Sequence, residues 1–399
     1  MDEITIRQAT LEDFPAIAEV DSASFGEEIT PAYLEHSLTL IDPARFLVAC
    51  QGQRIVGVTG DFPFTMSVPG GSLEVPGVTW VSVEVTHRRR GVLSSLMRAQ
   101  LDGYRGVGYA CSILMASESG IYGRFGYGVA TRIRKAEIAR RRVRLIEPGN
   151  PRAVERCNAD EARKRLPQIH ERWRAQTPGA LNRTEAWWNY IFADKEFMRA
   201  GMSPQFFLVH EDGYVTYRIK ADWHDGDPRH LCVITDYVVV TPEAHRDLWQ
   251  VLLGLDLVGS FESYRIPADD PLPYLINDPR QIATTRVTDG VWLRPLDLEQ
   301  LLGARNYAVD VDLVVAMRDR DETQTVRVQG GPDGATAKRT DASPDVEFTT
   351  QALGSAYLGA TRLAPLAAAG VVHADDPRTL ARFDRALLAD REPGHGTGF

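Results

Sequence analysis

The first part of the chain alternates between stretches with the period of a β-strand and stretches with the period of an α-helix. Residues 4–10, ITIRQAT, have strand character, and Thr10 stands three residues before Asp13, as at a helix start with a capping box. Residues 46–60, FLVACQGQRIVGVTG, are two β-rich runs around Gln51-Gly52-Gln53, which predicts a hairpin.

A strand, a turn, a helix and a second strand follow one another between residues 78 and 117. The strands are VTWVSVEV at residues 78–85 and CSILMAS at residues 111–117. Between them, apolar residues at helical spacing predict one buried helix face: Val92, Leu93, Leu96, Met97 and Leu101. This order predicts a βαβ-like crossover in a mixed sheet.

The middle of the chain partly repeats this pattern. EPGNP at residues 147–151 marks a boundary, and residues 206–219, FFLVHEDGYVTYRI, form a second predicted hairpin around Asp212-Gly213. Further on, Val-Val-Val-Thr at residues 238–241 leads into a helix, as Val-Glu-Val-Thr does at residues 83–86. The repeat predicts a duplicated fold.

The pattern changes again after residue 288. A short helix is expected near residues 298–302, then strands, and then two helical stretches at residues 353–370 and 376–390. We therefore predict an α/β (α+β) protein with domains at residues 1–146, 147–288 and 289–399, of which the last is a smaller α+β domain.

Composition and charge limit the possible functions. The formal net charge of −9 gives no positive field to gather nucleic acid, so we expect no nucleic-acid partner. The N-terminus is acidic and lacks an apolar signal segment, and no apolar run approaches the roughly 18 residues of a membrane span, so we expect a cytoplasmic protein without a membrane contact. The four cysteines form no CxxC pair, so we expect free thiols. The histidines form no metal-binding motif, so we expect no metal.

Three arginines and a glycine, at residues 88–91, separate the strand at residues 78–85 from the helix that follows. A helix N-terminus has unpaired N–H groups and about half a positive charge, and a glycine lets backbone approach a phosphate closely. The turn therefore fits either a phosphate site or a solvated surface turn. Neither GxxxxGK[ST] nor GxGxxG is present, so a phosphate ligand here is not held by either of those loops.

Coenzyme A has a pyrophosphate at one end, amides in its pantetheine arm and a thioester tip. A strand that ends beside a phosphate site can pair its backbone with such an arm, as in strand addition. Residues 78–91 offer this combination.

The residues at this turn resemble the acetyl-CoA motif of the GCN5-related N-acetyltransferase (GNAT) family, [RQ]-x-x-G-x-[GA]. Arg88, Gly91 and Leu93 take its three defined positions, and Leu93 departs from the small last residue. IYGRFGYG at residues 121–128 resembles the Tyr-x-x-x-Gly-Phe signature of the same family, with Tyr127 in place of the phenylalanine.

The whole chain resembles the Eis (enhanced intracellular survival) family of aminoglycoside and lysine acetyltransferases. The resemblance is carried by HRRRGVL, SESGIYGRFGYGVAT, DPLPYL, LGSAYLGA and a terminal phenylalanine. It implies two tandem GNAT-type mixed-sheet domains, the second one degenerate, then a sterol-carrier-protein-like domain, assembled as a homo-hexamer. Val85 stands where close relatives usually have proline, which changes the exit of the strand more than the chemistry.

The resemblance also implies which residues bind acetyl-CoA. Main-chain groups of Val81 and Val83 would pair with the pantetheine arm, and Ser117 and Glu118 would line the thioester end. The pyrophosphate loop would consist of Arg89, Arg90, Gly91, Val92, Leu93 and Ser94.

Acetyl transfer needs an acid to protonate the leaving thiolate and a base for the amine. Tyr122 matches the family's acid, and a tyrosine is protonated at neutral pH. The resemblance assigns the base to the C-terminal carboxylate of Phe399, whereas the residues alone also allow a frayed tail. Local alternatives for the base are Glu84, His87 and Glu118.

The acceptor pocket is expected in SASFGEEITPAYLEH, at residues 22–36. Glu27 and Glu28 would attract a cationic amine between Phe25 and Tyr33, although an exposed acidic turn explains the same residues. Gly398 stands where relatives that take polycationic drugs often have an acidic residue, which weakens an aminoglycoside assignment.

Two functions compete on this evidence. The first is an acetyl-CoA-dependent N-acetyltransferase acting on cationic small molecules such as aminoglycosides, and also on protein lysines. The second is a non-catalytic acyl-CoA or lipid-binding sensor, and a packing-only role for the third domain is a further alternative. In the second copy, Pro242 and acidic Glu243 replace the arginine-glycine turn, so we expect this copy to be architectural.

Overall fold

The computed structural model describes residues 3–320 and 322–399. These residues form two compact units. The described residues of unit 1 lie within Met1–Thr131, Asp289–Ala389 and Gly398–Phe399, and those of unit 2 within Arg132–Thr288 and Asp390–Thr397. The units are described separately below.

The first part of the chain supplies one set of strands and helices. The strands are β1 Ile4–Gln8, β2 Leu47–Gln51, β3 Arg54–Val68, β4 Gly71–Val83, β5 Cys111–Met115 and β6 Gly128–Val129. The helices are α1 Phe14–Phe25, α2 Pro31–Leu38, α3 Val92–Val107 and α4 Ser119–Tyr122.

The middle part supplies the elements of unit 2. The strands are β7 Arg132–Ile138, β8 Glu155–Cys157, β9 Phe206–His210, β10 Gly213–Lys220, β11 Trp223–His224, β12 Asp227–Pro228, β13 His230–Val239, β14 Val258–Ser263 and β15 Ile282–Asp289. The helices are α5 Ala159–Arg174, α6 Glu185–Phe192, α7 Pro242–Leu253 and α8 Leu272–Leu275.

The last part completes unit 1. The strands are β16 Val291–Pro295, β17 Val311–Asp319, β18 Glu322–Gly331, β19 Gly334–Arg339, β20 Val346–Thr349 and β21 Val372–His373. The helices are α9 Leu298–Gly303, α10 Thr350–Ala356, α11 Leu363–Ala368 and α12 Pro377–Ala386.

Unit 1 contains a mixed sheet in the order β1-β2-β3-β4-β5-β16-β6 and a second sheet in the order β19-β18-β17-β20-β21. Because side chains alternate across a strand, neighbouring residues of β2 pack under different helices. Val48 belongs to the core cluster under α1, whereas Ala49 belongs to the cluster under α3. The two helices therefore cover opposite faces of the mixed sheet.

Strand β4 contains a β-bulge, and from there on it no longer pairs with β5. Its pairing with β3 shifts by one residue, so that Trp80 and Val81 together face Thr59, and Trp80 has the left-handed φ of 52°. Such a β-bulge bends the strand and increases its twist. The parallel pairing of β4 with β5 is confined to Gly77 opposite Ile113 and Val78 opposite Leu114, just before the bulge.

Unit 2 repeats this arrangement in the order β15-β7-β14-β13-β10-β9-β8. The parallel pair is β13 with β14, which ends at Ile234 opposite Ser263. Directly after it, the pairing of β13 with β10 also shifts by one residue, at Thr235. The duplicated fold predicted from the sequence is present, including the bulge and the parting of the two parallel strands.

The predicted fold class is confirmed, as are the hairpins at Gly52 and Asp212, and the capping box of Thr10 with Asp13 is present. The predicted domain limits at residues 146 and 288 stay a prediction. None of the helices among residues 3–320 and 322–399 is long and apolar enough to cross a membrane. The four cysteines are free and buried.

Candidate acetyl-transfer site

The loop between β4 and α3 presents open backbone N–H groups. Gly91 is the N-cap of α3 with a left-handed φ of 83°, and no side chain caps the first turn of the helix. The N–H groups of the first turn have no intrahelical acceptor, so they need a partner from water or a ligand. A helix N-terminus of this kind binds phosphate through these N–H groups and the helix dipole.

The three arginines of the loop differ in their contacts. Arg88 donates to the carbonyl of Ser24 at 3.2 Å, so it serves the local fold. Arg89 and Arg90 are exposed, and within the described part of the chain their side chains form no hydrogen bond or ion pair. Arg89 also has a left-handed φ of 62°, which is strained for a non-glycine residue. Two guanidinium groups thus remain free for a phosphate ligand.

The parting of β4 and β5 leaves backbone of β4 without a strand partner on the β5 side. Val81 lies in the bulge and Val83 follows it. The carbonyl of Val83 accepts a hydrogen bond from the hydroxyl of Ser24 at 3.0 Å. Because a carbonyl has two lone pairs, an amide N–H of a ligand can still bind there.

Tyr122 lies at the end of the short helix α4, and its side chain is buried. It packs in one cluster with Val78 and Leu114, the last paired residues of β4 and β5. Burial, and next the negative charge of Glu118, raise the pKa of Tyr122 to about 12. Among the described residues the Tyr122 hydroxyl has no hydrogen-bond partner. It is therefore a protonated donor that is not already engaged.

Tyr127 has a different environment. It is fully buried, its ring packs edge-on against that of Tyr122 at 6.2 Å, and its hydroxyl shares a hydrogen bond with the Ser112 hydroxyl at 2.8 Å. This hydroxyl is already satisfied, which supports the packing role expected for Tyr127.

Phe399 packs against the sheet beside the last paired residues of β4 and β5. Its ring is 5.0 Å from that of Phe64 on β3. A Cβ atom at Gly77 would lie 2.9 Å from Cε2 of Phe399, so glycine at this position makes room for the ring. Gly77 and Val78 are the β4 residues that pair with β5. Phe399 lies beside Gly77 and Tyr122 packs with Val78, so unit 1 brings both residues to the point where these strands part.

The residues just before Phe399 belong to unit 2 and are held there by hydrogen bonds. Arg183 and Arg265 both donate to the carbonyl of Gly396, at 3.0 and 2.9 Å. The N–H of Leu181 donates to the carbonyl of His395. Burial, and next the charge of Arg265, lower the pKa of His395 to about 3, so its ring is neutral at physiological pH. The frayed tail that the residues alone allowed is absent from the described structure.

Two of the local alternatives for the base are engaged elsewhere. Glu84 forms an ion pair with Arg54 at 3.0 Å. The ring nitrogens of buried His87 bond to the Thr86 hydroxyl and to Gln51, at 3.0 and 2.9 Å. Glu118 is exposed and lies next to Ser117, also exposed, between β5 and α4. Of the three, only Glu118 has a side chain without a hydrogen bond or ion pair in the described structure.

The predicted acceptor residues lie where α1 ends and α2 begins. Phe25 and Tyr33 are 48% and 37% exposed, and Glu27 and Glu28 are exposed as well. Aromatic side chains this exposed are available to a ligand. A solvated turn remains compatible with the same exposure.

The sequence did not single out the residues that join α1 to β4. Besides Ser24, the carboxylate of Asp21 accepts a hydrogen bond from the Ser82 hydroxyl. Burial, and less strongly the charge of Glu27, raise the pKa of Asp21 above its usual range, against the effect of the Ser82 hydrogen bond. The spacing of Asp21 and Ser24, three residues apart on α1, is the signal that could have indicated a shared helix face.

In the described residues, no group of three or more His, Cys, Asp or Glu side chains is placed to hold a metal ion. The site instead combines an uncapped helix N-terminus, free arginines, parted parallel strands and a protonated tyrosine. This combination, in a mixed sheet of this order, defines the GNAT class of acetyltransferases.

Family models agree with this class. An acetyltransferase (GNAT) domain matches residues 5–130, a further acetyltransferase (GNAT) domain matches residues 179–295, and a sterol carrier protein domain matches residues 298–395. The structure is also similar to the crystal structure of Eis1 from Mycobacterium abscessus, with a TM-score of 0.86 and 31% identity over 100% of both chains.

Two relatives extend the similarity along the sequence. N-acetyltransferase Eis of Mycobacterium tuberculosis is 34% identical in an alignment 397 residues long that covers 97% of each chain. An uncharacterized N-acetyltransferase of Streptomyces avermitilis is 35% identical in an alignment 382 residues long that covers 90% of this chain and 91% of the relative. The chain belongs to the Eis family of N-acetyltransferases, which confirms the resemblance inferred from its motifs.

Proposed function

We propose that this acetyltransferase moves an acetyl group from acetyl-CoA directly to an amine of a cationic small molecule such as an aminoglycoside, and also to protein lysines. Tyr122 acts as general acid and the Phe399 carboxylate acts as general base. The observation that carries this proposal is the packing of both residues at the last rungs between β4 and β5.

Acetyl-CoA binds along β4 and the start of α3. Arg89 and Arg90 contact the pyrophosphate, and the first-turn N–H groups from Val92 to Ser94 complete the loop with Gly91. Leu93 packs against the core cluster that contains Tyr122, so its side chain turns away from the phosphate. Backbone of Val81 and Val83 pairs with the pantetheine arm, and Ser117 and Glu118 lie at the thioester end.

Transfer begins when the acceptor loses a proton, because only a neutral amine has the lone pair that attacks a thioester carbonyl. The C–N bond forms, the nitrogen gives its second proton to water, and the C–S bond then breaks, leaving a thiolate. Tyr122 donates its proton to that sulfur, whose thiol has a reference pKa near 8.5. Water later returns a proton to Tyr122, since burial keeps its pKa near 12.

The Phe399 carboxylate receives the amine proton. An α-carboxyl group has a reference pKa of about 3.5, so the carboxylate is a weak base in water. It acts here through burial or through a bridging water. The Phe399 ring fixes the carboxylate by packing on Phe64.

The acceptor approaches from the end of α1. Glu27 and Glu28 attract its positive charge, and Phe25 and Tyr33 form the apolar walls. Cations also bind favourably over aromatic rings. The exposure of all four side chains supports this role.

The family resemblance further implies a homo-hexamer in the cytoplasm and a separate sterol-carrier-like domain at residues 289–399, after GNAT-type domains at residues 1–146 and 147–288. Light scattering of the purified chain measures the assembly directly.

The function is tested by thiol release from acetyl-CoA with a panel of aminoglycosides, polyamines and lysine peptides. We expect release with at least one polycationic acceptor and N-acetylation of that acceptor by mass spectrometry. Coenzyme binding without thiol release for every acceptor would favour the sensor instead.

A further inference from the structure

Unit 2 contains a cavity of about 530 Å³ at the place where its parallel strands part. Tyr237 and Val239 line it from β13 beyond the bulge, and Arg265 and Ile266 line it from the segment after β14. This is the position that the coenzyme site occupies in the first copy. Its volume lies within the range of about 300–1,000 Å³ that is usual for small-molecule sites.

Phosphate is excluded at the helix end of this cavity. The side chain of Thr241 accepts the N–H of Ala244 at 3.3 Å, Pro242 has no N–H group, and Glu243 adds a negative charge. At this helix end, therefore, one N–H is already bonded, one is missing, and a carboxylate repels an anion. The occupant of this cavity is not a nucleotide coenzyme.

The walls are mainly apolar. Aromatic side chains of Trp173, Tyr237 and Tyr264 line the cavity together with aliphatic residues and prolines. Walls of this kind bind an apolar or aromatic body through the hydrophobic effect and ring contacts.

Two guanidinium groups share one carboxylate at the wall of the cavity, since Asp236 pairs with Arg183 and its charge also acts on Arg265. In the described chain, the lining residues Arg134, Arg265 and Arg391 form no ion pair with a carboxylate. Arg265 donates only to carbonyls, at Thr235 and Gly396, and its Nη2 atom has no partner among the described residues.

Two of the four carboxylates of the lining have a side-chain partner in the described structure. Asp236 is paired with Arg183, and Asp270 with His245 at 3.0 Å. Burial, and next the charge of Asp269, raise the pKa of Glu392. Arg265 shares the charge of Asp236 with Arg183 and has a free Nη2 atom, so a carboxylate in the cavity can accept a charge-assisted hydrogen bond from it.

We propose that this cavity binds a small molecule that joins an apolar or aromatic body to a single carboxylate, with the carboxylate on Arg265. The chain's own residues 391–396 form one wall of the cavity. A bound ligand therefore contacts the segment that leads to Phe399, and the site lies in the copy that binds no coenzyme.

The test is calorimetric titration of the full chain, saturated with acetyl-CoA, with 1-naphthaleneacetate, indole-3-propionate and octanoate. We expect at least one of them to bind at one site per chain, and its uncharged amide to bind about tenfold or more weakly because it lacks the charge-assisted contact. No saturable binding by any of the three would overturn the proposal, as would equal affinity for acid and amide.

Two variants locate the binding. Ala268→Trp adds bulk from an exposed residue of the cavity lining and is expected to abolish binding. Ala221→Trp adds the same bulk at an exposed residue outside the lining and is expected to bind like the parent. Unchanged binding by Ala268→Trp would place the ligand elsewhere and contradict the site. Neither outcome depends on the acetylation assay.

Discussion

The two GNAT copies share their geometry and differ at one helix end. Both have a bulge in the central strand and parallel strands that part just before it. In the first copy, residues 84–91 separate β4 from α3, and no side chain caps the helix. In the second, only residues 240–241 separate β13 from α7, and Thr241 caps the helix.

From this difference we expect a coenzyme site in the first copy alone, because a parted pair of strands does not by itself supply phosphate ligands. The opening is a property of the backbone, and the second copy retains it. Phosphate affinity depends on free N–H groups and free cations, which the second copy lacks at its shorter connection between strand and helix. In this fold the opening between the parallel strands can therefore be present without the groups that bind phosphate.

The largest effect is expected when the acid is removed. Tyr122→Phe should lower kcat by about 10²–10⁴-fold with little change in coenzyme affinity, because only the donated proton is lost. The matched change in the second copy is Tyr274→Phe, on the short helix α8, where the ring is 85% exposed. It should have no effect in the same steady-state assay.

The pH dependence of the same pair sharpens this prediction. Because burial raises the pKa of Tyr122 to about 12, the acid stays protonated at any assay pH below about 11. The ratio of parent to Tyr122→Phe rates should therefore stay constant between about pH 7 and 10. Normal turnover by Tyr122→Phe would make Tyr122 structural.

Removal of the free cations is expected to have the next largest effect. Arg89→Ala with Arg90→Ala should weaken acetyl-CoA binding by about tenfold or more per arginine, since each charge-assisted contact contributes about 1.5–3 kcal/mol. Glu243→Ala in the second copy should leave calorimetry unchanged, at one acetyl-CoA per chain. Two sites per chain, or unaltered affinity in the double mutant, would contradict the contrast between the copies.

The chain end is expected to matter by about tenfold or more. Deleting Phe399 removes the ring that packs on Phe64, and a C-terminal tag moves the carboxylate away from it. Both changes should lower turnover about tenfold or more, as loss of a general base does, without a large change in melting temperature. An N-terminally tagged chain serves as the control. Equal activity of all forms would direct attention to Glu118.

The smallest effect is expected at the helix cap. A Cβ atom added at Gly91 would meet no atom within 4 Å, so the energetic cost of Gly91→Ala comes only from the φ of 83°. That conformation costs an alanine about 1–2 kcal/mol, which predicts a several-fold weaker coenzyme affinity by calorimetry. Gly103→Ala, inside α3, also meets no atom within 4 Å and should stabilise the helix slightly without affecting the coenzyme. Equal affinity of both variants would show that the cap conformation is not needed.

Much of the first copy could be predicted from the sequence because its signals are local. A strand, an arginine-glycine turn and an amphipathic helix lie within residues 78–107, and hydrophobic period with turn chemistry indicates each of them. The hairpins at Gly52 and Asp212 are of the same kind.

The rest depends on pairing between distant residues. The bulge at Trp80 arises from the register between β3 and β4, and the residue types in this stretch do not indicate it. The roles of Ser24 and Asp21 arise from the packing of α1 on β4. The contact of Phe399 with Phe64 joins residues far apart in the sequence and was not predicted, whereas the family resemblance indicated only a role for Phe399 at the site.

The position of β16 has a consequence for biosynthesis. This strand, at Val291–Pro295, inserts between β5 and β6, which end at Met115 and Val129. At about 5–20 residues per second, a ribosome delivers β16 roughly ten seconds or more after β5. Until then β5 has an unpaired edge, and such edges promote aggregation of nascent chains. We expect a chain that stops after residue 288 to bind chaperones during translation, which ribosome-associated pull-down measures, whereas the full chain is released once residues 291–295 have emerged.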